Sequence, residues 1–165
     1  PCGILIDENS PFATGGRPVE SEGKTISEVM DSFIERSPKY RWQDDNGTLF
    51  ILPKTVAGPV AKKLFLTPLN MQFPNAPATD ACTEILSRIQ VYSNYFSSGM
   101  APVYGVVNTV VENLSAAAAL NKIVREDGQM CWLLTYRRGW FITRYHFVTA
   151  SWRRDAGPTT GQGKG

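Results

Sequence analysis

The sequence predicts an α+β protein built from two related small units, each a helix packed on a short, mostly antiparallel sheet. Three observations predict it. Apolar residues recur at helical spacing over 26–34, 78–96 and 116–124, and β-forming stretches follow the first and last of these. The helix-then-hairpin pattern appears twice, at a constant offset of 90 residues. Finally, 165 residues with 42% hydrophobic and 19% charged side chains are enough for a real core, and a net charge of +2 is too small for disorder over most of the length.

The first unit is expected over 1–57. Gly3-Ile4-Leu5-Ile6 reads as a short buried strand, ended by Asp7, Glu8, Asn9 and Ser10. A loop with Gly15-Gly16 follows; without a Lys-Ser/Thr after the glycines it is no phosphate loop. Thr25-x-x-Glu28 is a capping box, and Ile26, Val29, Met30, Phe33 and Ile34 behind it form one apolar face, predicting a helix over about 26–37. Ser37-Pro38 stops it. Tyr40 to Leu52 then reads as a hairpin turning at Asn46-Gly47.

The second unit is expected over 58–150, after a linker at 53–60. Leu64-Phe65-Leu66 and Leu69 to Phe73 read as extended pieces. Ala78, Cys82, Ile85, Ile89, Tyr92 and Phe96 predict a helix over about 78–96. Tyr104 to Val111 is strongly β-forming. Ala116, Ala119, Leu120, Ile123 and Val124 repeat the first apolar face, predicting a helix over about 115–127. Ser115 stands where Thr25 stood, and Trp132 where Trp42 stood. A hairpin over 131–147 follows, turning at Arg137-Arg138-Gly139. The end, 151–165, is a basic, Gly-rich flexible tail.

From Gln129 onward the chain carries Arg137, Arg138, Arg144, Arg153, Arg154 and Lys164 against Asp155, so a basic end follows a slightly acidic body. Cys2, Cys82 and Cys131 form no C-x-x-C; they allow one pair with a free thiol or three buried thiols. No apolar run is long enough for a transmembrane helix. Beginning at Pro1 without a Met, the chain is expected to be trimmed from a longer precursor.

The short strand, the Thr-Ile-Ser-Glu-Val-Met-Asp-Ser-Phe-Ile helix, the Tyr-x-Trp strand, the Asn-Gly turn and the strand ending in Leu-Pro together resemble part of a secretin/TonB short N-terminal domain. Asn113 to Phe141 resembles the same unit again, with the 78–96 helix in the place of the family's first helix. The resemblance implies a bacterial envelope module for protein–protein contacts, periplasmic or secreted. It implies no catalytic residue and no cofactor.

Nor do the residues themselves offer a site of chemistry. One histidine, His146, excludes two-His zinc sites. As a base it would need Cys131 or Cys82 beside it, and the hairpin register is expected to leave it past the paired residues. Asp7-Glu8 and Asp44-Asp45 are sequence neighbours that point to opposite strand faces, and the Asn-Gly turn explains the second pair. What remains is the mixture of rings and guanidinium groups at the basic end, with Arg137, Arg138, Trp140, Arg144, Trp152 and Arg153 as candidate partner-binding residues. A non-enzymatic protein-interaction module is therefore expected, without catalytic, metal or cofactor residues. A nucleic-acid-binding domain using the same hairpin is the alternative, and a small cysteine-dependent enzyme the third.

Overall fold

The computed structural model describes residues 1–9, 22–91, 105–140 and 143–151, with backbone only at 144, 146, 147, 150 and 151. In chain order the elements are β1 (Cys2–Asp7), α1 (Ile26–Arg36), β2 (Tyr40–Asp45), β3 (Thr48–Pro53) and α2 (Pro59–Ala61), which runs into a π-helical turn (Lys62–Leu66). Then come β4 (Pro68–Pro77), α3 (Ala78–Arg88), β5 (Val106–Ser115), α4 (Ala116–Asp127), β6 (Met130–Arg138) and β7 (Thr143–Ser151).

Five strands form one sheet in the order β2-β3-β1-β6-β7, and β4 pairs with β5 in a separate ribbon. The central strand β1 is parallel to both β3 and β6, while each hairpin is antiparallel. A parallel central strand is covered on both faces, which is why β1 is apolar without alternation. Leu5 faces α3 and α4, and Ile4 and Ile6 face α1. The layers are therefore α1, the sheet, the α3–α4 pair and the ribbon.

The two hairpin-leading helices are built for different places. The capping box of α1 is complete, with the Thr25 N–H donating to Glu28 Oε2 at 2.7 Å and the Glu28 N–H to Thr25 Oγ1 at 3.3 Å. Of its residues only Met30 is buried, so it rides on the sheet by one stripe. Helix α4 is buried nearly all round, including Ala116, Ala117, Ala119, Leu120, Ile123 and Val124. Its alanines let the sheet and the ribbon approach from opposite sides. Glu126 and Asp127 in its last turn accept from the Asn108 N–H, the Thr109 hydroxyl and the Gly105 N–H, tying the ribbon down.

The fold class is the α+β one that the sequence predicts, and the capped helix, the Asn46-Gly47 turn and both hairpins are where the pattern puts them. Asn46 and Gly47 both take positive φ, 52° and 86°, as a two-residue hairpin turn requires. Several local expectations are corrected. The two hairpins share a single sheet, with β1 joining them. Leu64 to Leu66 is a π-helical turn, because Val60 and Leu64, one helical turn apart, are both fully buried. That burial also makes the expected linker a packed segment. Helix α3 stops at Arg88, where Gln90 turns left-handed at φ 55°; the remainder of the expected 78–96 helix lies outside the described residues. The β6 strand continues through Arg137 and Arg138, so the turn begins at Gly139. The Gly15-Gly16 loop and residues 152–165 of the expected 151–165 tail lie outside the described residues, while Ser151 ends β7.

A disulfide joins Cys2 to Cys131 across the directly paired ends of β1 and β6. Because it spans 129 residues, it restricts the unfolded chain by about 5 kcal/mol. Cys82 is free and fully buried on the apolar face of α3.

Candidate functional site

The β6–β7 hairpin carries most of the expected partner-binding residues, and its strand period sorts them. Trp132, Leu134 and Tyr136 point into the core beneath the helices. Cys131, Leu133, Thr135 and Arg137 occupy the other face. Across the ladder Thr135 stands opposite His146, Tyr136 opposite Tyr145, Arg137 opposite Arg144, and Arg138 opposite Thr143.

Arg138 is engaged by its own chain. Its Nη2 lies 2.5 Å from Oδ2 of Asp7, whose side chain is only 3% exposed against 46% for the arginine. The Asn9 N–H donates to the second Asp7 oxygen at 2.9 Å, and the Glu8 N–H donates to the Tyr136 carbonyl. This polar cluster closes the carboxyl end of β1, where the parallel strand β6 also ends. Three tyrosines surround it or lie beside it. Burial raises the pKa of Tyr136, and the nearby Asp7 charge adds to the effect while Arg138 opposes it. Burial likewise raises Tyr40 and Tyr145. Among the described residues the buried hydroxyl of Tyr145 has no hydrogen-bond partner, and that of Tyr136 lies beside Asp7.

The other candidates divide by exposure. Trp140, just past the end of β6, is 95% exposed, the most exposed large hydrophobic side chain among the described residues. Arg137 is exposed, and among the described residues no carboxylate stands within ion-pair distance of it. Arg144 sits at the paired register position on β7. Trp152 and Arg153 lie outside the described residues.

Strand edges differ in how they are guarded. Edge strand β2 is six residues long and three are charged (Arg41, Asp44 and Asp45), while β4 contains Pro68, Pro74 and Pro77. Both are ordinary protections against pairing with another chain. The nine residues of β7 include no proline and one formal charge, Arg144, and nothing among the described elements pairs with its outer edge.

Of the three thiols that the sequence left open, Cys82 alone is free, and it is buried. Cys131 is in the disulfide, and burial raises the pKa of the Cys82 thiol far above its ordinary value. His146 lies within the ladder rather than past the paired residues, correcting the expected register. Among the described residues no group of His, Cys, Asp and Glu side chains is arranged to hold a metal ion.

Two surface hollows escaped sequence reasoning. An apolar groove of about 760 Å³ runs beside α1, lined by Ile26, Val29, Met30, Trp42 and Leu49 with Lys24 and Asp44 among its polar residues. A smaller cleft of about 290 Å³ is lined by Pro59, Lys62, Lys63, Thr67, Arg88 and Gln90. Lys63 links this cleft to the hairpin, with its Nζ 5.6 Å from the centre of the Tyr145 ring. Lys62 and Lys63 are neighbours in the chain, and the fold brings Arg88 to them. Asp7 was also missed, since an acid after an apolar strand looks like the start of a loop.

Compared with family models, curated proteins and solved structures, the chain matches none.

Proposed function

We propose that this chain is a non-enzymatic protein-interaction module that takes up an extended segment of a partner along the outer edge of β7, with Trp140 as an anchor beside it. The observation that carries the proposal is the β7 edge, nine residues long, with which nothing among the described elements pairs, next to a tryptophan that is almost wholly in solvent. Strand addition draws its affinity from main-chain hydrogen bonds and its selectivity from alternate side chains. Exposed aromatic and arginine side chains beside the edge are the residue types that dominate binding energy at interfaces.

The proposal extends to the family and the compartment. Two matched interactions support a structural duplication: Thr25 and Ser115 cap their helices through side-chain oxygens, and Trp42 and Trp132 donate to Asp31 and Asn121, each eleven residues upstream. They fit the resemblance to paired short N-terminal domains of the secretin/TonB type. The Cys2–Cys131 bond fits an oxidising compartment, periplasmic or extracellular.

The test is capture from a bacterial envelope extract with the intact protein and with Trp140→Ala, followed by amide hydrogen exchange on the complex. The expected result is a partner lost in the variant, with slowed exchange at alternate β7 residues. A variant that retains the same partner, or a complex that leaves β7 amides unprotected, rejects the proposal.

A further inference from the structure

We infer that the segment added at β7 is acidic, with Asp or Glu at two consecutive positions, opposite Arg144 and Tyr145. The inference rests on the strand-addition reading and adds the partner's chemistry to it.

Cationic residues flank the β6–β7 ladder at one level, Arg137 and Arg144 by register and Lys63 over Tyr145. On one face, Arg137 and Arg144 occupy directly opposite positions in the ladder. Like charges placed directly across a strand pair are unfavourable unless an anion lies between or beside them. On this face the Glu8 Oε1 accepts from the Thr135 hydroxyl at 3.1 Å, and no ion pair joins Glu8 to Arg137 among the described residues. A guanidinium fork suits a carboxylate in this place, since it can donate two parallel hydrogen bonds.

On the other face Tyr145 lies under Lys63, and Lys63 shares its cleft with Lys62 and Arg88. Their existing partners are weak or incomplete. Lys63 donates to the Gln90 carbonyl at 2.9 Å, which leaves its other two donors; Arg88 reaches Glu84 only at 3.7 Å, with both side chains more than half exposed. The backbone around the cleft is unusual twice over. Lys62 and Lys63 open the π-helical turn, and Gln90 holds a left-handed conformation that non-glycine residues rarely adopt. Both features concentrate at functional sites.

Successive residues of an added strand point to opposite faces, about 4.8 Å from the edge strand. Two adjacent acidic residues would then send one carboxylate toward Arg137 and Arg144 and the next toward Lys62, Lys63 and Arg88. An alternating acidic pattern would meet only one of the two groups. The open edge favours a peptide over a nucleic acid, since a phosphate backbone offers no matching ladder of N–H and C=O groups.

The probes are two capped peptides, Thr-Val-Glu-Glu-Val-Thr and Thr-Val-Gln-Gln-Val-Thr, titrated into the full chain with amide exchange read at β7. The Glu-Glu peptide is expected to bind about tenfold more tightly, with the advantage shrinking as salt screens it. Arg137→Gln and Lys62→Gln, both exposed substitutions, should each reduce that advantage while leaving the Gln-Gln peptide unaffected. Equal affinities with protected β7 amides would overturn the acidic inference and leave strand addition standing. Absence of binding by either peptide, with β7 amides unprotected, would remove both. Tighter binding of oligothymidylate at the same arginines, without amide protection, would overturn the inference in favour of a nucleic-acid site.

Discussion

The α1–β2 corner and the α4–β6 corner are the same local device placed in two environments. In each, a Ser or Thr oxygen caps the helix, and an indole N–H reaches back eleven residues to a side-chain oxygen on that helix, at 2.8 Å in the first and 2.9 Å in the second. What differs is the acceptor. Trp42 is half-buried and donates to a charged Asp31; Trp132 is fully buried and donates to a neutral Asn121. Near water a carboxylate is well solvated, whereas a buried one is costly without a countercharge. The amide also does what a carboxylate cannot: its Nδ2 donates to Asp45 at 2.7 Å, linking the second corner to the first hairpin. One geometry thus serves a surface and a core through a change from acid to amide.

The largest effect should come from the indoles themselves. Trp132→Ala is expected to cost about 4 kcal/mol, because it opens a cavity against Phe50 and strips Asn121 of its donor. Trp42→Ala should cost about 1–2 kcal/mol, mostly lost apolar contact. Denaturant melts of the two variants settle it. Equal losses would mean that the corners are energetically alike and the burial difference is unimportant.

The acceptor exchange is the sharper version. Asn121→Asp should cost about 3 kcal/mol, since it buries a carboxylate and turns the contact with Asp45 from a hydrogen bond into repulsion. Asp31→Asn keeps an oxygen for Trp42 at the surface and should cost less than about 0.5 kcal/mol. Should the two exchanges shift the denaturant midpoint equally, the environmental account of the acid-to-amide change fails.

Much of this pairing was legible in the sequence. Helical spacing, the Thr25 box, the Asn46-Gly47 turn and the matching tryptophans are local signals, and the local structure follows them. Which strands meet was not legible. An apolar run such as Cys2–Asp7 is compatible with any buried strand, and its place between the hairpins depends on contacts more than 40 residues away. Gly3 shows the difficulty: it looks like strand punctuation, yet a Cβ there would lie 2.5 Å from Asn121 Oδ1 and 2.7 Å from the Trp132 ring. The candidate site was legible in residue type but not in allegiance. Trp140 stands free, whereas Arg138 turns inward to Asp7, and no spacing rule distinguishes the two.

That inward turn belongs to the second hairpin alone, which makes Arg138 the next point of contrast. Arg138→Gln leaves Asp7 buried without its countercharge and should cost about 2 kcal/mol, held below the fully buried case by the arginine's partial exposure. Arg137→Gln, one residue away, should be near neutral in the free protein. Thermal melts of the pair would separate a structural arginine from a surface one, and equal stability would place Arg138 back among the free binding residues.

The tyrosines give the smallest contrast and the only one written in pH. Tyr40, in the first hairpin, is hydrogen-bonded to the backbone of Asp7; Tyr136, in the second, is buried beside the Asp7 carboxylate. Tyr40→Phe should therefore cost about 1 kcal/mol at neutral pH, because it leaves the Asp7 backbone group unpaired. Above about pH 10 the unfolded chain loses its phenolic protons while Tyr40, Tyr136 and Tyr145 retain theirs in the folded protein. The folded state then holds more protons, so stability falls as pH rises past that point, until the folded phenols ionise as well. Replacing Tyr136 removes one proton from that imbalance and should flatten the alkaline limb of a stability–pH curve, with no change below pH 9 in its slope. An unchanged alkaline slope would mean that the Tyr136 hydroxyl is not held apart from water, and the difference between the two hairpins would then end at their tryptophans.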